Sequence, residues 1–176
     1  IVLSDVSTSK PLTQEQIDTL LLYTNVLLDM SSSPDVKQSS ISGPKAFSEA
    51  TLVYHTLNIL KQQEWFDQIK RIFKYSGRTV LEEGFNINDY DNLEGKYVFK
   101  KRIPTWMGHV THGATHLLIT RMFSFCPSLI DTYLEVIREN LRLIIKYPQL
   151  DTERAHFMCI TKNYLLEFDR LGIWGW

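Results

Sequence analysis

"TWMGHVTHGATHLLITRMF", residues 105 to 123, holds three of the chain's five histidines: His109, His112 and His116. Read as a helix at ~100° per residue, steps of three and seven place the three rings within an arc of roughly 60°. Side chains three and four apart are neighbours on a helix, so His112 can approach His109 on one side and His116 on the other. Neutral imidazole is a good ligand for zinc and other transition metals. One straight helix stacks its rings along its axis, however, so His109 and His116 can hardly share an ion. A second helix would have to complete the site.

Glu153 and His156, in "ERAH", offer such a complement. They form a Glu-x-x-His pair of the kind that di-iron bundles use twice, and it occurs here once. A metalloprotease helix would need His-Glu-x-x-His, and no acid stands between the histidines of residues 105 to 123. The metal reading therefore enlists zinc or iron with His109, His112, His116, Glu153 and His156. A plainer account competes with it. Gly108 and Gly113 interrupt the stripe and let another helix come close, and histidine and threonine on such a face can satisfy each other and nearby carbonyls.

Taken as a helix, this stretch makes the second half of the chain wholly helical. Pro127 ends it. "SLIDTYLEVIRENLRLIIKY" follows, with Ser128 as a cap and an apolar face of Leu129, Ile130, Tyr133, Leu134, Ile137, Leu141, Ile144 and Ile145. Asp151 caps "TERAHFMCITKNYLLEFDRL", and Gly172 closes it. Upstream, Thr13 and Gln16 form a capping box for "PLTQEQIDTLLLYTNVLLDM". Residues 46 to 75 show a broad apolar face in "AFSEATLVYHTLNILKQ", then a second helix in "EWFDQIKRIFKY". Between these lies "SSSPDVKQSSISGP", residues 31 to 44, which reads as a flexible serine-rich loop.

Residues 78 to 105 interrupt the helical pattern. "GFNINDYDNLEG" is turn-rich and acidic. "KYVFKKRI" is a short strand, half of a hairpin with "TVLEEGF", or an ordered loop. The expectation is thus an all-α single domain over 1–176. About six helices form an antiparallel bundle or a short helical-repeat array, with one irregular insertion near 78–105.

That insertion carries the second candidate site. "KYVFKKRIPTW" interleaves Lys96, Lys100, Lys101 and Arg102 with Tyr97, Phe99 and Trp106. Aromatic and cationic side chains of this kind anchor protein interfaces and also stack single-stranded nucleic acid. The bland alternative is internal pairing with Glu82, Glu83, Asp89, Asp91 and Glu94 just upstream.

Composition narrows the function classes. Lys and Arg number 19 against 20 Asp and Glu, so there is no global attraction to nucleic acid or an anionic membrane. Hydrophobic residues make up 44%, enough for a core. No apolar run approaches the roughly 18 residues needed to span a bilayer. Cys126 and Cys159 are too few and too far apart for a disulfide framework, which suggests buried thiols in an intracellular, cytoplasmic or nuclear setting. Phosphate-binding glycine loops, a G-x-S-x-G elbow and C-x-x-C are all missing from the sequence. Ile1 in the first position and the terminal "GIWGW" read as the edges of a piece cut from a larger protein.

The expected function is a non-enzymatic helical interaction or scaffold domain. It would bind another protein, or the rest of a larger chain, through Tyr97, Phe99, Lys100, Lys101, Arg102 and Trp106. A metal-binding bundle is the first alternative, and nucleic-acid binding through residues 96–106 the second, less favoured because of the balanced charge.

Overall fold

A computed structural model of the chain describes residues 2–5, 12–76, 80–105 and 112–174. The chain divides into two compact units, Ile1–Gln63 and Glu64–Trp176.

The first unit opens with β1 (Val2–Asp5), α1 (Gln14–Leu21) and β2 (Val26–Asp29). The two strands pair in parallel, Val2 opposite Val26 and Asp5 opposite Asp29. The Thr13–Gln16 capping box is present in both directions, as the sequence pattern requires. Asp29 caps a 3₁₀ turn, Met30–Ser32; the Ser31 hydroxyl and N–H hold its carboxyl below the usual range. Then come α2 (Pro34–Ser42) and α3 (Lys45–Lys61).

Helix α2 occupies the stretch whose composition reads as a loop. Pro34 sits in its first turn, where the missing N–H costs nothing. Its serines turn inward on their own backbone: Ser39, Ser40 and Ser42 donate to the carbonyls of Val36, Lys37 and Gln38 at 2.8–2.9 Å. Val36 and Ser39 are buried and fix the helix in place.

The second unit overturns the all-α expectation, and with it the helical bundle or repeat array. Its centre is a four-stranded mixed sheet of β3 (Ile72–Tyr75), β5 (Tyr97–Lys100), β8 (Met122–Phe125) and β9 (Leu165–Phe168), in the order β3-β8-β5-β9. Strand β8 runs antiparallel to both neighbours, and β5 and β9 are parallel. Short pairs accompany it: β4 (Val80–Leu81) with β10 (Ile173–Trp174), and β6 (Ile103–Pro104) with β7 (His116–Leu117). The strand in "TVLEEGF" therefore partners the C-terminal segment and not "KYVF".

Three stretches that scan as helix hold β3, β8 and β9. For β8 the reason is physical. Strand β8 is buried along its whole length and β5 along three of its four residues. A strand covered on both faces loses polar alternation, and a short apolar run then carries no period that separates it from a buried helix.

Among the described residues of this unit, two α-helices complete the fold, α4 (Ile130–Lys146) and α5 (Thr152–Cys159). Asp151 caps α5, accepting from the Arg154 N–H at 2.8 Å, but the helix stops after two turns. None of the described helices is long and apolar enough to cross a membrane.

The sheet separates two cores. Pairing sets Tyr97 opposite Phe125 and Val98 opposite Ser124, so side chains sort by alternation. Tyr97, Phe99, Phe123 and Phe125 share one face with Tyr133 of α4 and His156 of α5; Phe99 stacks on Phe123 at 4.6 Å and Phe125 meets Tyr133 at 4.7 Å. Val98 and Met122 lie on the other face, packed with Tyr90, Leu171, Phe73, Phe85, Leu166 and Phe168. Irregular chain covers that face, and a pocket opens in it.

Candidate functional site

His112 and His116 do not share a helix. His112 sits in a turn with φ of +52°, followed by Gly113 at +91°, so no helix runs through this point. Its ring stacks on Tyr147 at 3.7 Å and its Nε2 meets the Gln149 amide. His116 lies on β7 beside Phe157, with Thr115 Oγ1 3.0 Å from its Nδ1. His109 falls outside the described residues, as does Trp106. Among the described residues, no three His, Cys, Asp or Glu side chains gather as a metal site would require.

His156 is 3% exposed and closed off on both nitrogens. The Tyr133 hydroxyl lies 2.8 Å from Nε2, and the Thr152 carbonyl 2.8 Å from Nδ1. Asn140, itself fully buried, completes the ring of contacts. With its amide turned to fit the network, Oδ1 accepts from His156 Nδ1 at 2.9 Å while Nδ2 donates to the Ala155 and Val136 carbonyls. The Nδ1–H tautomer follows, with Tyr133 donating to Nε2. Such an arrangement specifies a core and leaves no lone pair for a substrate or an ion. Glu153 stands on the same helix, and its carbonyl accepts the Leu118 N–H at 3.1 Å.

The basic-aromatic segment is sorted by the pleat. Tyr97 and Phe99 are 0% exposed and belong to the core on the helix face, where no partner can touch them. Their cationic neighbours are engaged, mainly by groups on and beyond β9 and not by the acidic stretch upstream. Arg102 holds Glu167 with both Nε and Nη2, at 2.6–3.0 Å. Its backbone N–H adds a further bond to the same carboxylate at 2.7 Å. Lys101 pairs with Asp169 at 3.1 Å, and Lys96 donates to the Asn163 carbonyl at 3.0 Å. Lys100 is exposed at the end of β5.

The site that composition missed lies across the sheet. Glu82, Gly84, Phe85, Asn86, Asp89 and Tyr90 on one segment, and Phe168, Arg170, Leu171 and Gly172 on another, line a pocket of about 220 Å³. Local structure explains how two such distant segments meet. β4 and β10 pair just outside the pocket, and the Glu82 N–H donates to the Gly172 carbonyl at 2.8 Å. Gly172 has φ of +65°, and a Cβ there would stand 2.6 Å from the Phe85 Cα, so only glycine serves. Asn86 caps a 3₁₀ turn, Ile87–Tyr90, and its Nδ2 donates to Asp89 Oδ1 at 3.1 Å.

The inner wall is aromatic. Tyr90 meets Phe85 at 5.9 Å and Phe168 at 5.6 Å, and Phe73 supports Tyr90 at 4.9 Å. Arg71 lies 5.6 Å from the Tyr90 ring centre and ties the cover to the sheet. Its Nε donates to Ser124 Oγ at 2.9 Å, and its Nη atoms to the carbonyls of Leu93 and Lys96. Burial pushes the Tyr90 hydroxyl above its ordinary value.

Cys126 follows β8, near Arg71. Burial pulls its thiol up, yet the Gly95 and Ser128 N–H groups, the Ser128 hydroxyl and the Arg71 charge outweigh that and hold it below the ordinary range. Cys159 on α5 is the opposite case: burial, with Glu139 nearby, pushes it up to about 12.

Compared with protein-family models, with curated proteins and with solved structures, the chain shows no match.

Proposed function

We propose that this chain is a non-enzymatic recognition domain that binds another polypeptide, with the pocket between residues 82–90 and 168–172 as its point of contact. The carrying observation is the pocket itself. It is walled by Phe85, Tyr90 and Phe168, bordered by charged side chains, and has a volume of about 220 Å³. Pockets that enclose a whole ligand are larger, about 300 to 1000 Å³. The smaller volume suits one protruding side chain. Aromatic anchors with a polar rim are the usual composition of an interface hot spot. The closure of both His156 nitrogens also favours recognition over catalysis. In the first unit, Leu22 and Tyr23 at the end of α1 are 78% and 74% exposed. They form a second apolar surface of the kind that marks interaction sites.

Gly84 provides the test. A Cβ built there meets nothing within 4 Å, so the backbone accepts a side chain at this lining position, and Gly84→Leu adds bulk at the pocket. Peptides selected by the parent chain from a random display library should lose binding to Gly84→Leu, at an unchanged melting temperature. Selected peptides that bind both proteins equally would remove the pocket from the function.

A further inference from the structure

We infer that the side chain taken by this pocket is a cation on an aliphatic stem, the ammonium of a lysine or the guanidinium of an arginine. The inference rests on the polypeptide-binding reading above and adds the chemistry of the contact.

Two properties of the lining point the same way. The first is the aromatic wall. Ring faces carry negative potential and attract ammonium and guanidinium groups, and they also pack well against methylene stems. Phe85 and Phe168 are half-buried, so part of each remains free toward the pocket. The second is charge. Glu82 and Asp89 line the pocket against a single cation, Arg170, a formal balance of two negative charges to one positive. Among the described residues, no cation engages either carboxylate. Asp89 is oriented by Asn86 through one oxygen only, at 3.1 Å, which leaves the other for a ligand. On β9 and just beyond it, by contrast, Glu167 and Asp169 are paired with Arg102 and Lys101. Among the described residues, the two acids at the pocket have no such match.

An anion would meet two carboxylates for one guanidinium. A purely apolar side chain would be placed beside three charged groups and would gain nothing from them. A lysine or arginine satisfies both halves of the lining at once, stem to rings and head to carboxylates.

The test is a titration of the full chain, labelled with nitrogen-15, with three five-residue peptides. They are identical except for lysine, arginine or norleucine at the centre, and n-butylammonium serves as a fourth probe. The expected result is movement of the Phe85, Asn86, Asp89 and Gly172 amide signals, with the cationic peptides binding roughly tenfold or more tightly than norleucine. Glu82→Gln with Asp89→Asn, both exposed and isosteric, should bring the cationic peptides down to the norleucine level.

Norleucine binding at the same amides with equal affinity would overturn the cation inference and leave the polypeptide reading intact. Binding of n-butylammonium without either cationic peptide would make the pocket a small-amine site and overturn both. Signals that no probe moves would also overturn both.

Discussion

The two faces of the central sheet are built from the same four strands and differ in almost everything else. On one face, α4 and α5 press Tyr133, Asn140 and His156 onto a floor of Tyr97, Phe99, Phe123 and Phe125, and the histidine's polar contacts close on one another. On the other, loops and 3₁₀ turns cover Val98, Met122, Phe73 and Phe168, and a pocket bordered by Glu82 and Asp89 is left open. Regular helices bring their own hydrogen bonds and can seal a face; irregular chain must borrow donors such as Arg71 and leaves gaps. The closed face is thus suited to stability and the loose face to recognition.

Core truncation should show the largest contrast. Phe123→Ala removes a ring packed between Phe99 and Tyr133. It should cost about 3–5 kcal/mol in urea unfolding followed by circular dichroism. Phe168 is half-buried on the loose face. Phe168→Ala should cost about 1.5 kcal/mol, the lower end for an apolar side chain. Equal losses would mean that the two faces are equally packed, and the contrast would fail.

The cysteines sharpen it next. Cys126 lies near Arg71, and its lowered pKa makes thiolate available at a pH where an ordinary cysteine is still protonated. Cys159, pushed up to about 12, stays protonated through the neutral range. Alkylation by iodoacetamide at about pH 7.5, read by mass spectrometry, should be faster at Cys126 by roughly a hundredfold or more. The Cys126 rate should also level off at lower pH than that of a free thiol. A slower Cys126 would break the assignment.

Smaller effects follow. Tyr133→Phe deletes one hydroxyl and leaves His156 Nε2 buried without its donor. The cost should be about 1–3 kcal/mol in the same unfolding experiment. Lys101→Ala breaks an ion pair whose side chains are 70% and 84% exposed. Its stability should stay within about 0.5 kcal/mol of the parent.

The same contrast decides what could be read from the sequence. The Thr13–Gln16 box, the Asp151 cap, α3 and α4 follow from local chemistry and are present, and of the strand and loop that "KYVF" allows, the strand is found. Local signals failed where tertiary burial decides. "MFSF" lacks alternation because both of its faces are covered, "YLLEF" is half-buried throughout β9, and "RIFKY" places Ile72 and Phe73 three and four residues after Ile69, a helical spacing, by chance. The candidate site was hidden for a related reason. Tyr97 and Phe99 alternate with Val98, and no periodicity reveals that all three are buried. Phe85 and Tyr90 stand among Glu82 and Asp89 in an acid-aromatic interleaving as marked as the basic one beside it. Only Phe168 and Gly172, far along the chain, turn that pattern into a pocket.

That distance has a kinetic consequence. Strand β9 is the last of the four, and contacts such as Lys101–Asp169 join positions 68 residues apart. Pairing at such separation closes late, because the loop entropy has to be spent before the contact forms. On the ribosome, β3, β5 and β8 will emerge and wait for their fourth member, with Phe73 and Val98 uncovered in the interval. The pocket is thus among the last parts of this unit to exist, and a nascent chain halted before Phe168 lacks one of its walls.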